Sequence, residues 1–220
     1  MNYQQRITCL STNDDNSFLV GGSWQTIWLW RLKPQYEQIK FGGHEGWVTS
    51  VSLSKNDQYL VSSGEDNVVN VWDIQQRSLL WKNHQSQNEI NAVLINNDNK
   101  LIIGGSDKTI KILDISTQKV EKILKGHSKA VTCLAISPDG RLLFSGSSDA
   151  SIKIWDLKKQ EYLYEIQENR TEITCLVTDF MDEKLILVSG SSDGKVNIFE
   201  VNKDIKKSNF LDRFNILKFN

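Results

Sequence analysis

Ser145-Gly146-Ser147-Ser148-Asp149-Ala150-Ser151-Ile152-Lys153-Ile154-Trp155-Asp156 is the stretch that decides the fold class of this 220-residue chain. A run rich in small residues, 142–146, enters a polar turn and leaves it as Ser151-Ile152-Lys153-Ile154-Trp155, where polar and apolar side chains alternate. Alternation with a period of two puts successive side chains on opposite faces and marks a strand, not a helix. Asp149 stands six residues before the closing Trp155. The same spacing links Asp66 to Trp72, Asp107 to Leu113 and Asp193 to Phe199. The closing residues Trp30, Trp72, Leu113, Trp155 and Phe199 lie 42, 41, 42 and 44 residues apart. The first unit alone breaks the rule, with Trp24 in the place of the Asp.

Each unit extends upstream in the same way. Before the small-residue strand (18–22, 59–64, 101–105, 142–146, 185–190) comes another at 6–10, 47–53, 89–94, 130–136 and 172–177. Further strands fall between units at 37–41, 79–82, 120–124 and 162–166, with 213–219 as a last candidate. Turn residues such as Ser137-Pro138-Asp139-Gly140 separate them. Four strands repeated about every 42 residues describe a propeller blade, whereas an α-solenoid would need apolar spacings of three and four. The expectation is an all-β propeller of five four-stranded blades in one domain, 1–220. Its repeats fall at about 1–32, 33–74, 75–115, 116–157 and 158–201, and the tail 202–220 supplies one outer strand.

Composition narrows the function. With 26 Lys+Arg against 27 Asp+Glu there is no basic excess, so no nucleic-acid partner is expected. No apolar run is long enough to cross a bilayer, and Met1-Asn2-Tyr3-Gln4-Gln5-Arg6 lacks the apolar core of a signal peptide. The expected location is the cytoplasm, with the nucleus as alternative. Gly21-Gly22 and Gly104-Gly105 end strands and read as close blade packing, not as a phosphate loop. Cys9, Cys133 and Cys175 occupy one slot of the first strand, filled by Ser50 and Ala92 elsewhere. A slot taking Cys, Ser and Ala asks for a small, tightly packed side chain. No CxxC spacing or acid pair suggests a metal, cofactor or redox centre, and none is expected.

The quoted residues resemble the WD-repeat family, over essentially the whole chain. Its marks are a Gly-His pair, a turn Asp and a closing Trp-Asp. Gly43-His44, Ser62, Asp66, Trp72-Asp73 and Gly126-His127, Ser145, Asp149, Trp155-Asp156 carry the full set. The resemblance implies two hydrogen-bond relays, His44–Ser62–Asp66–Trp72 and His127–Ser145–Asp149–Trp155. Each would satisfy buried polar groups inside a blade. A Ser-His-Asp set also invites a hydrolase reading. The set occurs twice, its serine lies on an inner strand, and no Gly-x-Ser-x-Gly elbow accompanies it, so no catalytic residue is assigned.

Other units depart from the pattern. The third has Ile103 and Leu113 in the Ser and Trp slots, with His84 two residues ahead of the expected place, which Ser86 fills. The fifth keeps Ser189 and Asp193 but has Asn169 and Phe199-Glu200; the first, with Val20, Trp24 and Trp30-Arg31, has lost nearly all of the relay.

The same resemblance implies a partner-binding face around the central channel. Arg6, Trp47, Glu89, Ala130 and Glu172 precede the first strands; Ser23, Glu65, Ser106, Ser148 and Ser192 precede the turn Asp. Arg6, Trp47, Glu65, Glu89 and Glu172 are the candidate contacts, and carboxylates beside Trp47 favour a basic peptide. The expected function is a non-catalytic protein–protein interaction scaffold. The alternatives are a propeller that grips phosphoinositides at a membrane surface, for which the Arg-Arg pair is missing, or a propeller fragment completed by another chain. No strand is left over to clasp a ring. Either five blades close unaided or the arc stays open and a partner chain or a second copy covers its flanks, the open arc being favoured.

Overall fold

The computed structural model describes residues 6–83, 88–167 and 170–202, and the backbone of 214–216. His84, Ser86, Asn169 and most of the outer strand expected at 213–219 therefore lie outside the described residues. The described elements are strands, in chain order β1 (Cys9–Thr12), β2 (Phe18–Gly22), β3 (Trp24–Arg31), β4 (Glu37–Leu53), β5 (Tyr59–Gly64), β6 (Val69–Asp73) and β7 (Ser78–Asn83). A third blade comprises β8 (Ile90–Ile95), β9 (Lys100–Gly105), β10 (Thr109–Asp114) and β11 (Val120–Lys125). The fourth is β12 (Val131–Ile136), β13 (Leu142–Ser147), β14 (Ile152–Asp156) and β15 (Glu161–Ile166). The fifth is β16 (Ile173–Met181), β17 (Lys184–Ser191), β18 (Val196–Val201) and β19 (Phe214–Ile216). Each blade is an antiparallel meander, as tight turns between neighbouring strands require. Among the described residues no helix is long and apolar enough to cross a membrane.

Several strand boundaries differ from expectation, among them the strand expected at 172–177, which runs on to Met181. The first strand is Cys9–Thr12, not 6–10. The separate strands expected at 37–41 and 47–53 are one continuous strand, β4, which joins the first two blades into a seven-stranded sheet. The cause is Trp24. Standing where other units have a turn Asp, it lengthens β3 and pairs with Trp47, the two rings meeting edge-on at 5.3 Å.

In the other units the Asp makes the turn. Its carboxylate accepts from the amide two residues on, at 3.3 Å for Asp66–Val68, 3.0 Å for Asp107–Thr109 and 3.0 Å for Asp149–Ser151. The intervening residue takes a left-handed conformation, with φ of 60° at Asn67, 67° at Lys108 and 67° at Ala150; the fifth unit places Gly194 there, at 79°. Asn and Gly tolerate that region, whereas Ala carries a Cβ penalty.

The core is divided by junction. One hydrophobic cluster lies between each consecutive pair of blades: Ile27, Leu29 and Phe41 with Val48 and Trp72; Val61 and Val71 with Ile90 and Leu113. Beyond them, Ile110 and Ile112 meet Val131 and Trp155, and Phe144 and Ile152 meet Ile173 and Phe199. Apolar burial thus stabilises junctions, at about 25 cal/mol per Å² of apolar surface, and no blade buries both of its faces alone. Among the described residues no strand pairing or cluster joins the fifth blade to the first, so the five blades as described form an open arc.

Candidate functional site

Two arrangements stand out: the polar sets inside the second and fourth blades, and the rim where the inner strands begin. In the fourth blade, Trp155 Nε1 donates to Ser145 Oγ at 2.9 Å; His127 Nε2 lies 2.8 Å from that oxygen, and His127 Nδ1 lies 3.0 Å from Asp149 Oδ2. The second blade repeats this with Trp72 Nε1 to Ser62 Oγ at 3.1 Å, His44 Nε2 to Ser62 at 2.8 Å and His44 Nδ1 to Asp66 at 3.0 Å. Sequence distance is bridged by the meander: Ser and Trp sit on the second and third strands, the Asp in the turn between them, and the His ahead of the first strand.

Donor inventory sets the protons. An indole only donates and a carboxylate only accepts. The Ser oxygen therefore accepts from the Trp, its hydroxyl donates to His Nε2, and His Nδ1–H donates to the carboxylate. The imidazole is neutral. Burial holds both His44 and His127 below their ordinary pKa, outweighing the facing carboxylates. Burial alone would raise Asp66 and Asp149. Donors override it: the Glu45 amide and His44 for Asp66, and Ser151, the Ser128 amide and His127 for Asp149, hold both below the usual carboxylate range.

Ser62 and Ser145 are fully buried. Each hydroxyl is held between an indole donor and a histidine acceptor and is closed off from solvent, so the geometry that resembles a nucleophile–base pair has no approach for a substrate. Glycine completes the enclosure. A Cβ on Gly43 would stand 2.9 Å from the Trp72 ring, and one on Gly126 3.3 Å from the Trp155 ring.

The other blades resolve the loss of members differently. In the third, Lys111 takes over the carboxylate of Asp107 at 2.7 Å, while Ile103 and Leu113 fill the polar slots and leave a cavity of about 20 Å³, room for one water. In the fifth, Phe199 has no N–H to give; Ser189 Oγ is buried without a hydrogen-bond partner among the described residues. Asp193 turns instead to Ser191 Oγ at 2.6 Å and Lys195 at 3.1 Å. Ser151, which donates to Asp149 at 2.6 Å, was missed in the sequence because a lone hydroxyl two residues past an Asp resembles any turn.

At the rim, four of the five pairs of positions expected to line it are joined, the Ser23 amide donating to Thr26 O instead of pairing with Arg6. Glu65 N donates to Trp47 O, Ser106 N to Glu89 O and Ser192 N to Glu172 O at 2.9 Å, and Ser148 N to Ala130 O at 3.0 Å. Glu89, Asn91, Ser106, Ala130, Thr132, Ser148 and Glu172 line one open pocket of about 280 Å³. Ser148 Oγ donates to Glu172 at 2.8 Å and Ser106 Oγ to Glu89 at 3.3 Å, which fixes both carboxylates at the mouth. No Lys, Arg or His lines it. Of the remaining candidates, Trp47 is half-buried against Trp24, while Glu65 and Arg6 are exposed; none of the three lines the pocket.

Among the described residues no group of three His, Cys, Asp or Glu is placed to hold a metal. The cysteine slot is not uniform. Cys133 is buried and its thiol is pushed up to about 12 by burial, Cys9 is half-buried, and Cys175 is exposed. The tight packing expected of that slot needs a following blade, and none among the described residues covers Cys175.

Comparison with known proteins agrees with this architecture. The family described as WD domain, G-beta repeat matches at 2–31, 35–73, 75–114, 118–156 and 160–200. The chain is 26% identical over 218 residues to p21-activated protein kinase-interacting protein 1-like of Danio rerio, covering 98% of this chain and 58% of that protein. It is 29% identical to Protein ROOT INITIATION DEFECTIVE 3 of Arabidopsis thaliana, covering 88% of this chain and 48% of the relative. It is also 29% identical to THO complex subunit 6 homolog of Danio rerio, over 64% of this chain and 50% of that one. The chain thus spans about half the length of these relatives.

Proposed function

Because this chain belongs to the WD-repeat family, whose members generally act as protein-interaction scaffolds, we propose that it is a non-catalytic scaffold whose rim pocket receives a basic side chain of a partner protein. The observation that carries this is the convergence of Glu89 and Glu172, from the third and fifth blades, on one pocket without a counter-charge. Two carboxylates at a mouth of this size suit one Lys or Arg, and Arg can engage carboxylates through paired N–H donors. Trp47, half-buried against Trp24 at the rim of the second blade, is a separate candidate contact outside this pocket. The names of two relatives speak of a kinase-interacting protein and a complex subunit, which agrees with a binding role. The relays are struts in this reading, and Arg6 and Glu65 are peripheral charges.

The test is isothermal titration of the full chain with a synthetic peptide library scanning single Lys and Arg positions. Binding of a basic peptide weakened tenfold or more by Glu89→Gln with Glu172→Gln supports the reading. Equal affinity of the double variant, or no preference for basic over acidic peptides, overturns it. Trp47→Ala separately reports whether the aromatic edge takes part.

A further inference from the structure

In the second, third and fourth blades an Asp carboxylate holds the turn between the second and third strands; in the first blade the same place carries Trp24. Other bonds fix that turn. Ser23 N and Ser23 Oγ donate to Thr26 O at 2.8 and 3.1 Å, and Val48 N donates to Ser23 O at 3.1 Å. The indole is therefore not what closes the turn, and it belongs to none of the four junction clusters. It stands 44% exposed at the rim, where it meets Trp47 of the second blade.

The two rings meet at 74°, with 5.3 Å between their centroids. An edge-on contact covers one face of one ring and leaves the other ring faces clear of it. Two acidic residues are fixed beside this corner. Glu65 N donates to Trp47 O at 2.9 Å, and a Cβ on Gly46 would stand 3.3 Å from Glu65 Cβ. Gln25 Nε2 donates to Glu45 O at 3.2 Å, which ties the residue after Trp24 to the segment before Trp47. Glu45 and Glu65 are exposed, and among the described residues neither forms an ion pair. Elsewhere in the first blade Lys40 lies over the Trp28 ring and Arg31 over that of Phe18. Among the described residues no cation lies over Trp24 or Trp47.

We propose that the Trp24–Trp47 corner binds an arginine side chain of a partner protein, its guanidinium stacked on an indole and its N–H groups directed to Glu45 or Glu65. Indole is the aromatic face that holds a cation best, and the unpaired carboxylates beside it supply the complementary charge. Guanidinium suits this place better than ammonium. It is planar and stacks flat, it is more weakly hydrated, and it reaches a carboxylate through paired donors. The turn that carries Trp24 is already fixed on both sides, so little ordering is left for binding to impose. The corner lies where the first two blades share one sheet, so a blade stands on each side of it. It is also distinct from the Glu89–Glu172 pocket, whose lining contains no aromatic residue and none of the residues named here.

The indole N–H resonances of the full chain, read in a proton–nitrogen correlation spectrum, test it. Those of Trp24 and Trp47 are identified by their loss in Trp24→Phe and Trp47→Phe. The probe is the peptide acetyl-Gly-Arg-Gly-amide, with lysine or citrulline in place of arginine as controls. The arginine peptide is expected to shift the Trp24 and Trp47 resonances saturably and to leave those of the buried Trp72 and Trp155 in place. Citrulline is as flat as arginine but neutral, and its peptide is expected to bind about two- to fivefold more weakly, the worth of a cation–π contact at an exposed site. Glu45→Gln with Glu65→Gln is expected to weaken the arginine peptide and to leave the citrulline peptide unchanged. Trp24→Leu alters an exposed side chain; it is expected to melt within a few degrees of the native protein and to abolish the Trp47 shift. Four outcomes overturn the proposal: no saturable shift at Trp24, equal binding of the citrulline peptide, equal binding of the lysine peptide, or a Trp47 shift that survives Trp24→Leu. Glu89→Gln with Glu172→Gln is expected to leave the Trp24 shift as it is, so failure of one proposal leaves the other standing.

Discussion

The indole of Trp155 donates to Ser145 Oγ at 2.9 Å, and this bond gives the whole polar set of the fourth blade its direction. With the indole fixed as donor, the serine proton points to His127, the histidine proton to Asp149, and the tautomer follows without choice. The consequence is energetic. Each buried group in the relay is satisfied by its neighbour, so removing one member orphans the next.

Replacing Ser145 by Ala strips both Trp155 Nε1 and His127 Nε2 of their partner in a fully buried place. A loss of about 1–3 kcal/mol is expected, the cost of leaving buried polar groups unsatisfied. Ser189 occupies the same slot of the fifth blade but bonds to nothing among the described residues. Ser189→Ala removes an orphan instead of creating one and is expected to be neutral or slightly stabilising. Urea unfolding of the two variants side by side checks this; similar losses from both would show that the Ser189 hydroxyl is satisfied after all.

Trp155 and Trp24 contrast in the same manner. Trp155 is 2% exposed and fills the junction between the third and fourth blades, so Trp155→Ala is expected to cost about 3–5 kcal/mol. Asp149→Ala removes the acceptor for His127, the Ser128 amide and Ser151, and about 2 kcal/mol or more is expected from losing hydrogen bonds to a charged group. Trp24 is 44% exposed, and Trp24→Ala should lose little beyond its edge contact with Trp47, about 1 kcal/mol. Thermal melting of the three variants would contradict this ordering if all fell equally.

Legibility in the sequence depends on how local each feature is. The recurring Asp-to-Trp spacing and the Gly-His pairs are local, so the blades are legible from the residues, and the family resemblance those residues carry implies both relays. The continuous β4 is not legible in this way, because it arises from Trp24 pairing with Trp47, a contact between residues 23 positions apart in sequence. Thr8, Thr49 and Thr132 look in the sequence like ordinary strand threonines; only the neighbouring blade reveals each as a donor. Cys175 shares its slot with Cys133 yet is exposed, since burial there is set by the presence of a next blade and not by the residue itself.

Acid should unravel the relays in two stages. The folded pKa of His44 and His127 is depressed, so each contributes stability that is present above the unfolded histidine value, about 6.5, and is lost as pH falls through the lower folded value. A protonated imidazole also presents Nε2–H to a serine oxygen that already accepts from the indole. Asp66 and Asp149 are likewise depressed, and their share persists down to about pH 4 before it is lost as pH falls further. Stability measured by urea unfolding is therefore expected to be flat near pH 7–8 and to decline below about pH 6.5. In the double variant His44→Gln with His127→Gln the slope between pH 6.5 and 4.5 should be shallower. A native protein more stable at pH 5 than at pH 7.5 would show the imidazoles to be charged when folded.

The three cysteines offer a chemical reading of the open arc. Thiolate, not thiol, reacts with disulfide reagents, so both exposure and pKa govern the rate. Cys133 is buried, and burial pushes its thiol up to about 12; Cys9 is half-buried, with its thiol also raised by burial; Cys175 is exposed. Labelling of the dilute native protein at pH 8, followed by peptide mass spectrometry, is expected to modify Cys175 first, Cys9 more slowly and Cys133 only on unfolding. Protection of Cys133 should persist at every protein concentration, because its cover is the adjoining Ile173 of the same chain. Cys175 has no such cover within the described residues, and equal labelling rates for Cys133 and Cys175 in dilute solution would mean that the outer face of the fifth blade is not open.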